Sequence, residues 1–153
     1  MLHPENRLTL IDAMRPPAGF RFESAMAVTF TLDLKALLAA PAALTLTGHA
    51  TGVGGESGDD RLEPVEFVHA LRSHADRLTV FGQAGEIALP PSRRAFAFLE
   101  RAILPVSAPR GGVVHPKVWV IRYETAEDPA RRQAVEPRLR VLVSSRNLTF
   151  DAS

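Results

Sequence analysis

Near the C-terminal end of the sequence the run VVHPKVWV places His115 and Lys117 two residues apart in an otherwise apolar stretch. If the run is extended, alternate side chains share a face, so the two project together, with Trp119 and Ile121 following them on that face. Further on, VLVSSRNLTF carries Ser145 and Asn147, and the same alternation groups them with Val141 and Val143. An antiparallel pairing of these strands sets the start of the first beside the end of the second. One end of the pair then carries an imidazole able to act as nucleophile or proton carrier, a compact ammonium, an amide and a hydroxyl. That set suits a phosphoryl group. Lys117 strengthens the point: among 18 Lys plus Arg it shares lysine only with Lys35, so its position asks for a point charge rather than a planar fork.

His115-Pro116-Lys117 followed by Ser144-Ser145-Arg146-Asn147 resembles one copy of the His-x-Lys and Gly-Ser-x-Asn signature of the phospholipase D superfamily. The lead-in RGGVVHPKVWVIRYE and the tail SSRNLTFD carry the specific part of the likeness, and RPPAGFRFESAMAVTFTLDLKALLAAP extends it more weakly towards the N-terminus. The resemblance implies one phospholipase D-like half-unit and a phosphodiesterase that needs no metal or other cofactor. In such a site two motif copies meet. One His attacks phosphorus to form a phosphohistidine, the other protonates the leaving oxygen, and the Lys and Asn pairs hold the phosphate oxygens.

Carried over, the resemblance makes His115 the nucleophile or the acid, has Lys117 and Asn147 complete the catalytic set by binding phosphate, and has Ser145 support the phosphate. The substrate is nucleic acid or phospholipid, and the form of the motif tilts the expectation towards a nuclease-like role. Three features depart from the family pattern. Its usual Asp, five residues after the Lys, falls at Arg122, as in the reduced motif of tyrosyl-DNA phosphodiesterases; its first Gly is Ser144; and only one motif copy is present. Either a homodimer supplies two His, or the chain is the N-terminal half of a two-motif protein. The competing expectation is a non-catalytic module that binds phosphate-bearing ligands or nucleic acid, or assembles with another subunit.

A chain of 153 residues, nearly half of them hydrophobic, suffices for one core and is read as a single domain over 1–153. The net charge of +1 supplies no global field for or against nucleic acid. Absence of cysteine removes disulfides, thiolate metal sites and thiol nucleophiles. MLHPENRLTL lacks the basic flank and apolar stretch of a secretory signal, and no segment is apolar for a membrane span, so a cytoplasmic protein is expected.

Strands interleaved with helices predict an α/β fold with a mixed sheet flanked by helices. SAMAVTFTL over 24–32 alternates as a strand; Asp33 caps a short helix, LKALLAA, that ends at Pro41; residues 43–48 read as a strand or an irregular apolar segment. TGVGGESGDD is a glycine loop, without the terminal Lys-Ser/Thr of a phosphate-binding loop. A helix over PVEFVHALRSHADR, with Val65, Val68 and Leu71 on one side, leads to a strand RLTVFG. Ser92 caps a helix whose stripe runs Ala95, Phe98, Leu99, Ala102, Ile103 and stops at Pro105. Two strands, roughly 113–124 and 138–145, close the chain, and their linker TAEDPARRQAVEP, lacking an apolar stripe, favours an antiparallel return.

Several residues invite a function and receive the plainer reading. His49, His69 and His74 have no ligand spacing among them, His69 and His74 being five apart, which argues against a metal site. Arg93-Arg94 and Arg131-Arg132 read as solvated charge, and Trp119 and Phe150 as core.

Overall fold

The computed structural model describes residues 9–46, 64–90, 96–125 and 136–149. In chain order the elements are α1 (Leu10–Met14), β1 (Phe20–Thr29), β2 (Leu32–Asp33), α2 (Leu34–Leu46), α3 (Pro64–Ala75), β3 (Leu78–Gln83), β4 (Ile87–Ala88), α4 (Ala97–Glu100), β5 (Ile103–Val106), β6 (Val118–Thr125) and β7 (Arg138–Val143). A five-stranded mixed sheet runs in the order β5-β3-β1-β6-β7, and β2 pairs with β4 separately. The fold is α/β: β3 and β5 run parallel to β1, while β6 and β7 form an antiparallel pair, with β6 antiparallel to β1. The last two strands therefore pair as their linker composition suggests.

Alternation in β1 is broken once. Phe22 pairs with Tyr123 and Ser24 with Arg122, so Glu23 is an extra residue in a bulge. Phe22 points into the core before the bulge, and Ala25, Ala27 and Thr29 do so after it. Small side chains at 25 and 27 leave room for α2, whose Ala36, Leu37, Ala40 and Leu44 join Leu78, Val80, Trp119, Ile121 and Tyr123 in one cluster. Met14, Ala75 and Leu99 bring α1, α3 and α4 to that same cluster, so the described helices cover one face of the sheet.

Three sequence expectations need correction. The helix after Asp33 does not stop at Pro41 but continues to Leu46, taking in part of the segment read as strand or irregular. An interior proline forfeits a hydrogen bond at a cost of about 3 kcal/mol. Here the second half of α2 buries Ala43 and Leu44 as well as Pro41 itself, and that burial offsets the loss. Asp33 does cap this helix, its Oδ1 accepting from Lys35 N–H at 2.8 Å. The apolar stripe ending at Pro105 divides: among the described residues Ala97–Glu100 is helix, and Ile103–Val106 pairs with β3 as an edge strand, where a proline without N–H is tolerated. In α3, Leu71 and Ala75 are buried but Val68 is exposed, and His74 meets the sheet by stacking on Phe22 at 5.2 Å between ring centroids. Ser92, the glycine loop, residues 47–48 and the core of the 125–137 linker lie outside the described residues.

The far end of the sheet is tied to α1 through polar groups. Tyr123 O–H donates to the Met14 carbonyl at 2.8 Å, and Arg140 Nη1 donates to the carbonyls of Ala13 and Arg15 at 2.6 and 2.7 Å. Carbonyls left free at a helix end thereby find donors. Burial pushes the Tyr123 phenol above its ordinary value, and the adjacent Arg140 guanidinium opposes that rise. Below about pH 10 the phenol is neutral folded or unfolded, and its contribution to stability is complete. Above it the unfolded chain ionises first, so stability falls as pH rises through the folded-state value. Tyr123 is the only tyrosine in the chain, so tyrosinate absorbance reports it alone. Alkaline titration should give a midpoint above that of free tyrosine, and Tyr123→Phe should remove this component while costing about 1 kcal/mol at neutral pH in urea unfolding.

Candidate functional site

His115 and Lys117 lie just ahead of β6 rather than within it, which corrects the strand start expected at 113. The reason is the loss of a partner. Val28 opposite Val118 is the last pair between β1 and β6, and beyond it the chain of β1 turns away into β2. Pro116 has no N–H for a ladder, and Val114 N–H goes instead to Gln83 Oε1 at the end of β3, 2.8 Å away. A 3-10 turn at Pro109–Gly111 leads in, with Arg110 at φ 58° and Gly111 at φ 72°; left-handed backbone is costly for Arg and natural for Gly.

The second segment is fastened to the first through the backbone. Ser144 N–H donates to the Lys117 carbonyl at 2.9 Å, one step past the Val118–Val143 pair. Residues directly opposed in an antiparallel pair share a face, so this register sets Ser144, not Ser145, opposite Lys117. Val141 and Val143 lie on the exposed face, away from buried Trp119, which corrects the grouping made by simple alternation. Ser144 Oγ then accepts from Arg146 N–H at 3.0 Å and closes a bend through Ser145 and Arg146. Past that bend the phase is reset. Ser145 is exposed, whereas Asn147 turns inward and donates from Nδ2 to Thr31 Oγ1 at 3.4 Å, its Oδ1 buried without a hydrogen-bond partner.

Both segments converge on the turn after β1. Thr29, buried, donates from Oγ1 to the Thr31 carbonyl at 2.9 Å and accepts from Leu148 N–H at 3.2 Å. Leu148 returns its carbonyl to Asp33 N–H at 2.9 Å. Phe30, between the two threonines, lies against the His115 ring at 5.4 Å between centroids. Adjacent residues of one turn thus touch His115 on one side and Asn147 on the other. Thr29, Phe30, Thr31 and Gln83 carry no motif in the sequence. The available signal was their position at the carboxyl ends of parallel strands, where α/β sheets place their ligands.

Lys117 Nζ is 2.8 Å from His115 Nε2, 3.1 Å from Nδ1 and 3.0 Å from the His115 carbonyl oxygen. A neutral imidazole accepts at one ring nitrogen, so the ammonium donates to whichever of the two the tautomer leaves free, and to the carbonyl as well. His115 is exposed and Lys117 and Asn147 half-buried, so the cation and the imidazole are open to a ligand. The arrangement can hold an anion beside a nucleophilic ring. Arg122 lies outside it, exposed on the opposite sheet face and paired with Glu23 at 2.6 Å.

Among the other histidines, His69 is exposed and His74 packs on Phe22. Trp119 is core. His49, Arg93, Arg94, Arg131, Arg132 and Phe150 lie outside the described residues. Among the described residues no group of three or more His, Asp or Glu is placed to hold a metal ion, and no helix is long and apolar enough to cross a membrane. No protein-family model, curated protein or solved structure matches the chain.

Thr29→Val keeps the shape of the central side chain and removes both its hydrogen bonds, leaving Leu148 N–H unpaired in a buried setting and the Thr31 carbonyl without this donor in a half-buried one. The expected cost is about 1–3 kcal/mol, or roughly 2–4 °C in Tm per kcal/mol. Thr29→Ser should retain most of that stability. Equal melting of the valine variant and the parent would show that this hydroxyl does not hold the turn.

Proposed function

We propose that the chain carries one half of a metal-independent phosphodiesterase site of the phospholipase D type, with nucleic acid as the favoured substrate and phospholipid the other candidate. The observation that carries the reading is the turn Thr29–Thr31, which contacts His115 through Phe30 and Asn147 through Thr31, while Lys117 rests on His115. A nucleophile, a compact cation and an amide then share one end of the sheet.

In the reaction, His115 attacks phosphorus; a nitrogen–phosphorus bond forms as the bond to the leaving oxygen breaks. A second histidine, from another copy of the motif, gives its proton to that oxygen. It next takes a proton from water, which attacks the phosphohistidine and releases the phosphomonoester with His115 restored. Lys117 and Asn147 stabilise the charge on the non-bridging oxygens, and Ser145 supports the phosphate from the bend. The second histidine comes from a homodimer or from a second half-unit.

A single His-x-Lys also favours a second reading, in which this half binds phosphate-bearing ligands without turnover. Hydrolysis of a chromogenic phosphodiester and of single-stranded DNA in excess chelator separates the two. For the enzyme, His115→Ala should abolish turnover and Lys117→Ala or Asn147→Ala should lower it about 100-fold or more. Activity surviving in the His115 variant would sink the assignment. Phosphate binding that needs Lys117 and Asn147, with no turnover in any variant, would establish the binding module instead.

A further inference from the structure

The described helices cover one face of the sheet and leave the other as a row of apolar side chains. Leu104 from β5, Phe81 from β3, Met26 and Val28 from β1, Val118 and Val120 from β6, and the outer residues of β7 share it. Exposure is highest on β7, where Leu139, Val141 and Val143 reach 70%, 62% and 79%, against 49% for Met26 and 46% for Leu104, while Phe81, Val28, Val118 and Val120 are half-buried. β7 is also an edge strand. β-Branched residues suit a strand whichever face they lie on, but three large apolar residues in succession on the outer side of an edge strand invite association.

We infer that this face is an interface between two copies of the chain, spanning the five strands and most exposed at Val141 and Val143. Two arguments select a second copy. The first is area: five strands at about 4.8 Å and about six residues at about 3.3 Å give a footprint of roughly 500 Å². A corrugated side-chain surface exceeds its footprint, which brings the patch near the roughly 800 Å² per partner of a standard interface. The second is charge. Among the described residues around the patch Arg122 is paired with Glu23 and Arg21 with Glu124 at 2.9 Å, so these charges are neutralised within the chain and do not select an acidic or basic partner. A neutral apolar face with balanced rim charges is self-complementary about a dyad, as an isologous dimer requires. The two sheets then pack face to face at about 10 Å, with β7 of each copy over the other. This interface stands apart from the phosphodiesterase reading, and its test reads association rather than turnover.

The chain has no cysteine, so one can be introduced without background. Val141→Cys should give a covalent dimer with a short bis-maleimide, and Glu100→Cys, on the helix side of the sheet, should not. In sedimentation equilibrium the parent should be a dimer, and Val141→Lys combined with Val143→Lys should raise its dissociation constant at least 100-fold while circular dichroism and Tm stay within a few degrees of the parent. A parent that is monomeric up to its solubility limit, or a dimer indifferent to both lysines, overturns the interface. A dimer that cross-links through Glu100→Cys but not Val141→Cys overturns it as well.

Discussion

Strand β1 is hydrogen-bonded on both sides with opposite polarity, parallel to β3 and antiparallel to β6, and the point where it leaves the sheet fixes the geometry of the His115 end. After Val28 the β6 side loses its β1 partner, so Gly112–Pro116 runs free of the ladder and is caught by Gln83 and Phe30 instead. After Thr29 the chain turns, and the threonine hydroxyl holds that turn and the approach of Leu148 together. One buried hydroxyl therefore joins segments that are far apart in sequence. Its two hydrogen bonds matter because their loss would strand backbone groups away from water.

The two ends of the sheet are built differently. At the far end, Tyr123 and Arg140 satisfy the carbonyls of α1, and donors and acceptors are matched. At the end that carries His115 the matching is incomplete: Asn147 Oδ1 is buried without a hydrogen-bond partner, while Lys117 donates to His115 on the exposed side. The carboxyl ends of parallel strands are where α/β sheets place their ligands, and there the exposed His115 and half-buried Lys117 stay open to one, whereas Asn147 Oδ1 is an acceptor closed off from solvent.

The same contrast separates the two faces. Towards the helices, alternation delivers alanines where α2 must come close and Trp119, Ile121 and Tyr123 where space must be filled. On the other side, the same period-2 pattern delivers Met26, Val120, Val141 and Val143 with no described helix above them. A sheet that is apolar on both faces and covered on one retains a driving force for a second layer.

The linear sequence was enough to show an α/β chain with a mixed sheet and an antiparallel final pair, because periodicity and linker composition are local properties. It could also place Trp119 in the core and Arg122 away from His115, by counting in twos along one strand. Counting failed where the chain leaves its ladder: the bulge at Glu23 and the bend at Ser145–Arg146 each reset the phase, so only the folded register sets Ser144 opposite Lys117 and turns Asn147 inward. Pro41 inside α2 and the strand at Ile103–Val106 were likewise decided by burial and pairing across the sheet, which outweigh local propensity. The turn Thr29–Thr31 had no motif to announce it. Its role arises because the end of β1 meets residues more than eighty positions away, a proximity that tertiary structure alone creates.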